Sequence, residues 1–230
     1  QGVDHLIEDR QGQAFIEAEN FHLNQNGTSA KTWQLNLNNS LFSGNTYLLA
    51  GPDTGSSITT DIALRSPRLD YKISFSVAGT YYLWVRGYAP SSSGDSLHAG
   101  LDGIVQTSAD RISRFTYATQ SWSTKDMDGV RVTITVATPG EHTLNFWMRE
   151  DGFSFDKFIL TKDASFVPQG FGSSESQREL PRARTLTRAL KDHLNALPEL
   201  SERQAYVQSV KDKVTRKINE YLLKSGEDKI

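Results

Sequence analysis

The chain has 230 residues and a formal net charge of −2 at pH 7, so no general field draws it to nucleic acid or to an anionic membrane. It contains no cysteine, which excludes disulfides, thiolate catalysis and thiolate zinc sites. No apolar run approaches the length of a membrane span, and the size suits one domain with a real core plus an extension. The opening at Gln1, without a methionine, suits a mature or trimmed form, in which any targeting peptide would be out of view.

Residues up to about Asp163 are rich in Gly, Ser, Thr, Asn and aromatics. Short alternating runs predict strands at Ala14–Phe21, Tyr47–Ala50, Ser56–Leu64, Leu69–Val77, Gly79–Tyr88, Ser96–Leu101, Gly129–Val136, His142–Met148 and Asp156–Thr161. Ala78-Gly79, Asp102-Gly103 and Pro139-Gly140 supply turn chemistry between them. Strands without intervening helices predict a mainly β fold, an antiparallel β-sandwich of jelly-roll type, over residues 1–165. Residues 166–180 carry Pro168, Gly170, Gly172 and Ser173-Ser174 and read as a linker.

From Pro181 the grammar is helical. Leu186, Leu190, Leu194 and Leu197 share one stripe, and Leu197-Pro198 breaks it. Ser201-Glu202-Arg203-Gln204 has capping-box form, with Ser201 as N-cap. Tyr206, Val210, Val214, Ile218 and Leu222 form a second stripe. The expected C-terminal element is therefore a two-helix hairpin over residues 181–230. Such a hairpin buries too little on itself, so it should dock on the sandwich, pair with a second copy or be the start of a domain cut away. From Glu175 on, basic residues outnumber acidic ones by twelve to nine, whereas the preceding part holds thirteen against eighteen.

Glu17 and Glu19 lie two apart on one strand and so share a face. Two carboxylates that close repel unless a positive charge lies between them. They either face water on an edge strand or hold a hard cation such as calcium, to which Asp156 would add a third carboxylate if the first and last strands are neighbours. Trp84 and Trp147 sit inside strand patterns and read as core or sheet-face residues. Trp33, Tyr47, Tyr88, Trp122 and Phe153 fall in loops or at strand ends. His98 reads as an ordinary exposed strand residue. Arg149-Glu150-Asp151-Gly152 forms a charged loop between the last two strands.

Five fragments in order carry a family resemblance: Glu17-Ala18-Glu19, Gly79-Thr80-Tyr81-Tyr82-Leu83-Trp84-Val85-Arg86, Leu101-Asp102-Gly103, Pro139-Gly140-Glu141-His142-Thr143-Leu144 and Phe155-Asp156-Lys157-Phe158-Ile159-Leu160. Over about residues 14 to 162 the chain resembles the β-sandwich carbohydrate-binding modules of families 6 and 35. The resemblance implies a noncatalytic module of a secreted or cell-surface polysaccharide-active enzyme. It implies a structural Ca2+ held by Glu17, Glu19 and Asp156. It also implies a polysaccharide or oligosaccharide site at one end of the sandwich, for which the candidates are Tyr88, Asp95, Trp122, Arg149, Glu150, Asp151 and Phe153. Tyr88 and Trp122 would stack on sugar rings, and Arg149 would face an anionic group. Glu150-Asp151 stands where the resembling modules often carry asparagine. The competing expectations are an adhesion or assembly module working through residues 181–230, and a glycan-active enzyme fragment using paired carboxylates such as Asp95 and Glu150.

Overall fold

The computed structural model of the chain describes residues 6–179 and 200–227. They belong to two units, residues 1–180 and 181–230. In chain order, the first unit runs β1 (Leu6–Glu8), β2 (Gln13–Glu17), β3 (Leu23–Gln25), β4 (Thr32–Leu37), β5 (Thr46–Gly51), α1 (Ile62–Arg65), β6 (Arg68–Phe75), β7 (Gly79–Tyr88), β8 (Leu97–Leu101) and β9 (Ile104–Val105). It continues with β10 (Ile112–Ser113), β11 (Gln120–Ser123), β12 (Lys125–Asp126), β13 (Thr133–Val136), β14 (Gly140–Met148), β15 (Ser154–Thr161) and β16 (Arg178–Glu179).

Two sheets result, as the alternating runs predict. The first is ordered β12-β10-β8-β14-β6-β1-β16, and the second β11-β7-β15-β5-β4, with β13 on β7 and β2 on β15. Pairing is antiparallel except where β1 meets β6. Leu69, Tyr71, Ile73 and Phe75 of β6 and Leu144, Phe146 and Met148 of β14 face inward. Tyr81, Leu83, Val85, Phe155, Phe158 and Leu160 meet them from the second sheet. Each such side chain contributes about 1.5–3 kcal/mol by leaving water.

Three local departures matter for the site. Strict alternation predicts that Phe155 and Phe158 point to opposite faces. The register of β15 against β7 shifts between Phe155 and Lys157. This bulge turns both phenylalanines into the core and leaves Asp156 as the extra residue. Ser56–Leu64 is not a strand: Ser57 makes only an isolated bridge to Glu150, and Asp61 adopts a left-handed φ of 52° before α1. Trp33 is not a loop aromatic. It lies on β4, nearly buried, with its indole N–H donating to the Pro67 carbonyl at 3.2 Å.

The segment read as a linker is, through residue 177, a strap across the outer face of the second sheet. Arg131 Nη1 donates to the Ala164 carbonyl at 2.7 Å. Phe166 meets Phe15 edge-on at 6.2 Å, and Ser176 N donates to the Phe15 carbonyl at 2.8 Å. The strap then enters the first sheet as β16, beside β1.

In the second unit, α2 (Leu200–Glu227) is a 28-residue helix. It starts one residue before Ser201, within the usual spread of helix boundaries. The stripe Leu186–Leu197 lies outside the described residues. Among the described residues no helix is long and apolar enough to cross a membrane.

Candidate functional site

The charged loop is internal scaffolding. Glu150 pairs with Arg149 and accepts from Ser96 Oγ at 2.7 Å and from the Asp95 N–H at 3.2 Å. Arg149 Nη1 also donates to Ser96 Oγ at 2.8 Å. Asp95 accepts from the Tyr117 hydroxyl at 3.0 Å; burial, ahead of the neighbouring Glu150, raises its carboxyl above the usual range. Asp151 is wholly buried. It pairs with Lys31 and accepts from Thr54 N at 2.8 Å, Thr54 Oγ1 at 2.8 Å and Ser56 N at 2.9 Å. Burial opposes its ionisation, yet Lys31 and these donors bring the carboxyl down to about 2. Phe153 lies in the core, 4.8 Å from the Phe115 ring.

Asp95, Glu150, Asp151 and Phe153 therefore do not form the expected ligand-binding rim. Their polar atoms are spent within the fold, and Phe153 fills the space where a side chain at Gly87 would stand. Arg149 is half-buried and engaged by Glu150. His98, expected to be exposed, is buried between Asp110 and the Ile58 carbonyl.

The remaining aromatics lie on the outer face of the second sheet. Tyr82, Trp84, Arg86 and Tyr88 alternate along β7 with the core residues Tyr81, Leu83 and Val85. Trp122 of β11 stands opposite Arg86, and Gln120 opposite Tyr88. Trp84, Tyr88 and Trp122 are all half-buried. A hollow of about 490 Å³ opens here, lined by Trp84, Arg114, Trp122, Ser123, Thr124, Lys125 and Gly129. The strap fixes one wall: Trp122 Nε1 donates to the Gly170 carbonyl at 2.9 Å, and Gly172 packs on the indole edge. Tyr88 shares this face but does not line the hollow.

Trp84 and Trp122 were legible in the sequence as a sheet-face and a loop aromatic. Arg114 and Lys125 were not, because neither lies in a patterned run. A left-handed φ of 64° at Arg114 has no signature in an arginine.

Glu17, Glu19 and Asp156 do come together, because β2 pairs with β15, with Glu17 opposite Lys157. Ser43 joins them, its Oγ donating to Glu17 Oε1 at 2.8 Å and its N–H to Asp156 Oδ1 at 2.8 Å. Lys157 Nζ reaches Glu17 Oε1 at 2.7 Å, and Arg86 pairs with Asp156. One oxygen each of Glu17 and Glu19 is buried without a hydrogen-bond partner among the described residues. Burial, then Glu17, Asp156 and Glu175, push the Glu19 carboxyl up to about 8, against the pull of its own backbone N–H. Burial likewise raises Asp156 to about 6, with Arg86 and the Ser43 N–H pulling the other way.

Among the described residues no three acidic, histidine or cysteine groups form a ready metal shell. The oxygens of Glu17 and Glu19 that lack a partner among the described residues are of the donor type a hard cation takes, but two carboxylates alone are fewer than such an ion needs. Asp156, held by Arg86, does not fit as a ligand in its present pose.

A sandwich with a sugar-sized, tryptophan-walled hollow and a carboxylate cradle defines a β-sandwich module. Residues 9–173 match the description "Glycosyl hydrolase family 115 C-terminal domain", and the chain belongs to that family. It is 30% identical over 196 residues to uncharacterized protein P23 of Formosa agariphila, covering 71% of this chain and 47% of that relative. The chain thus spans about half the length of the curated relative it matches.

Among solved structures it is similar to a family 35 carbohydrate-binding module from Clostridium thermocellum, with 11% identity, a TM-score of 0.44, and coverage of 64% of this chain and 96% of that one. The C-terminal family 6 module of a Zobellia galactanivorans laminarinase shares 14% identity at a TM-score of 0.42, covering 65% of this chain and 99% of that one. These neighbours come from the two families that the sequence motifs resemble.

Proposed function

We propose that the chain is a noncatalytic carbohydrate-binding module of a larger secreted, polysaccharide-active enzyme, and that it seats a saccharide in the hollow between Trp84 and Trp122. The observation that carries the reading is the hollow itself. Two half-buried indoles wall a concavity of about 490 Å³ on a rigid sheet. Sugar rings offer an apolar face that stacks on indole, and fixed polar groups select their hydroxyls. Membership of a family described as the C-terminal domain of a glycosyl hydrolase supports an accessory role.

Affinity electrophoresis through polysaccharide gels, followed by titration calorimetry with fragments of the retarding polymer, tests this. Trp122→Ala should weaken binding at least ten-fold. Undiminished affinity would remove Trp122 from the site, and product formation by the isolated chain would replace binding with catalysis.

A structural calcium ion is the second part of the proposal. Glu17 and Glu19 would hold it, and the ion would add positive charge beside these half-buried carboxylates, of which Glu17 already meets Lys157. An ion bound only by the folded state adds stability. Excess chelator should therefore lower Tm, and added Ca2+ should restore it. Glu19→Gln should abolish that response. A chelator-insensitive melt would leave Arg86 and Lys157 as the cradle's compensating charges.

A further inference from the structure

Resting on that saccharide reading, we infer that the hollow selects an anionic sugar, with Arg114 and Lys125 as its specificity-determining residues. Both cations line the hollow, and no carboxylate does. Among the described residues neither is joined to an acidic side chain at salt-bridge distance; the acids flanking Lys125 in sequence are occupied elsewhere. Asp126 Oδ1 accepts from the Val130 N–H at 2.8 Å, and Asp128 pairs with Arg111.

Arg114 is not a loose surface chain. Its Nε donates to the Met127 carbonyl at 3.1 Å, and Nη2 donates to the same oxygen. Those bonds use one edge of the guanidinium and leave Nη1 without a partner among the described residues. The backbone carries this side chain at φ 64°, a region that costs an L-residue about 1–2 kcal/mol and favours glycine or asparagine. Lys125 comes from the adjoining strand, where it stands opposite Ser113, the neighbour of Arg114.

Trp84 adds a further group. Its indole N–H is buried and has no acceptor among the described residues. A buried donor left unpaired is costly, and a carboxylate or sulfate oxygen is a strong acceptor.

The part of the chain before Glu175 holds more acidic than basic residues, so its distant field disfavours anions. At physiological salt, charges beyond about 8 Å are largely screened. The two cations at the hollow therefore decide the local preference. The anionic selector expected at Arg149 is unsuited to the task, because Glu150 already neutralises that guanidinium.

The test is calorimetry on the full chain with four probes: tri-galacturonate, its methyl ester, a monosulfated galactose disaccharide and its desulfated parent. At low salt the inference expects at least one acidic probe to bind ten-fold or more tighter than its neutral counterpart. Raising the salt, or the double change Arg114→Gln with Lys125→Gln, should erase that preference. Lys125→Glu, a change at an exposed position, should give the same loss with unchanged Tm and guards against misfolding of the double variant.

Preference for the uronate alone assigns the site to carboxylates, and preference for the sulfated sugar alone assigns it to sulfates; either supports the inference. If acidic and neutral probes bind alike and Trp122→Ala weakens both, the anion inference falls and the saccharide reading stands. An anionic preference that survives the double change also overturns the assignment. If no saccharide of either kind binds, both readings fall.

Discussion

At the scale of single residues, one rule separates the expected site from the observed one. A charged group in a loop is available to a ligand only if the fold has not already paired it. Asp151 shows the point. Its carboxylate gathers two backbone N–H groups, a hydroxyl and Lys31, and so fixes the turn that precedes Phe153. Removing it would take the acceptor from two N–H groups of an exposed loop, which can turn to water, and would leave Lys31 without its partner; a hydrogen bond to a charged group contributes about 1.5–3 kcal/mol. Asp151→Ala should therefore destabilise the sandwich by about 2 kcal/mol in denaturant melts. The pH dependence has a definite sign. A folded-state carboxyl near 2 lies below its ordinary 3.8, so its contribution is fully present above about pH 4 and is lost as pH falls toward 2. Asp151→Asn should flatten that acid limb of the stability curve. An unchanged limb would mean that the Lys31 pair forms without stabilising the fold.

At the scale of elements, the strap holds the platform. Gly172 has a left-handed φ of 74°, and a Cβ there would approach Trp122 Cζ2 to 3.1 Å. Gly172→Ala should cost about 1–2 kcal/mol for the backbone conformation alone. It should also push on the indole, shift tryptophan emission to longer wavelength and weaken saccharide binding. Native emission and native affinity would mean that the strap covers the sheet without positioning Trp122.

This is also where legibility from sequence divides. Period-two runs disclose β6, β7 and β14 because each has a wet and a dry side. Glu17 and Glu19 are readable as a pair because side chains two apart on a strand point together. The bulge at Asp156 is not readable, since one extra residue leaves no mark in the hydrophobic order yet turns Phe155 inward. Nor is the strap: Pro168, Gly170 and Gly172 spell flexibility locally, and only the contacts to Phe15, Trp122 and Arg131 make it ordered. The hollow escaped for the same reason, since Trp84, Arg114 and Lys125 come from three separated stretches of chain.

At the scale of the whole molecule, α2 poses the remaining question of assembly. Its 28 residues span roughly 42 Å at the usual helical rise, but an isolated helix is marginal without a partner for its apolar side. Tyr206 and Val210 are half-buried, and Val214 is 52% exposed. That spacing of four repeats along one side and suits pairing between two copies. A dimer would hold two hollows on one particle. On a repetitive polymer the second contact then becomes intramolecular, and avidity rises without any new bond to sugar. Light scattering should accordingly report a dimer for the full chain and a monomer for a chain ending at Glu179. The full chain should hold an immobilised polysaccharide at least ten-fold more tightly than the shortened one, while both bind a short oligosaccharide equally. Monomers in both cases would remove the helix from assembly, and dimers in both would move the interface to the sandwich. A loss of oligosaccharide affinity on shortening would give the helix a part in the binding site itself.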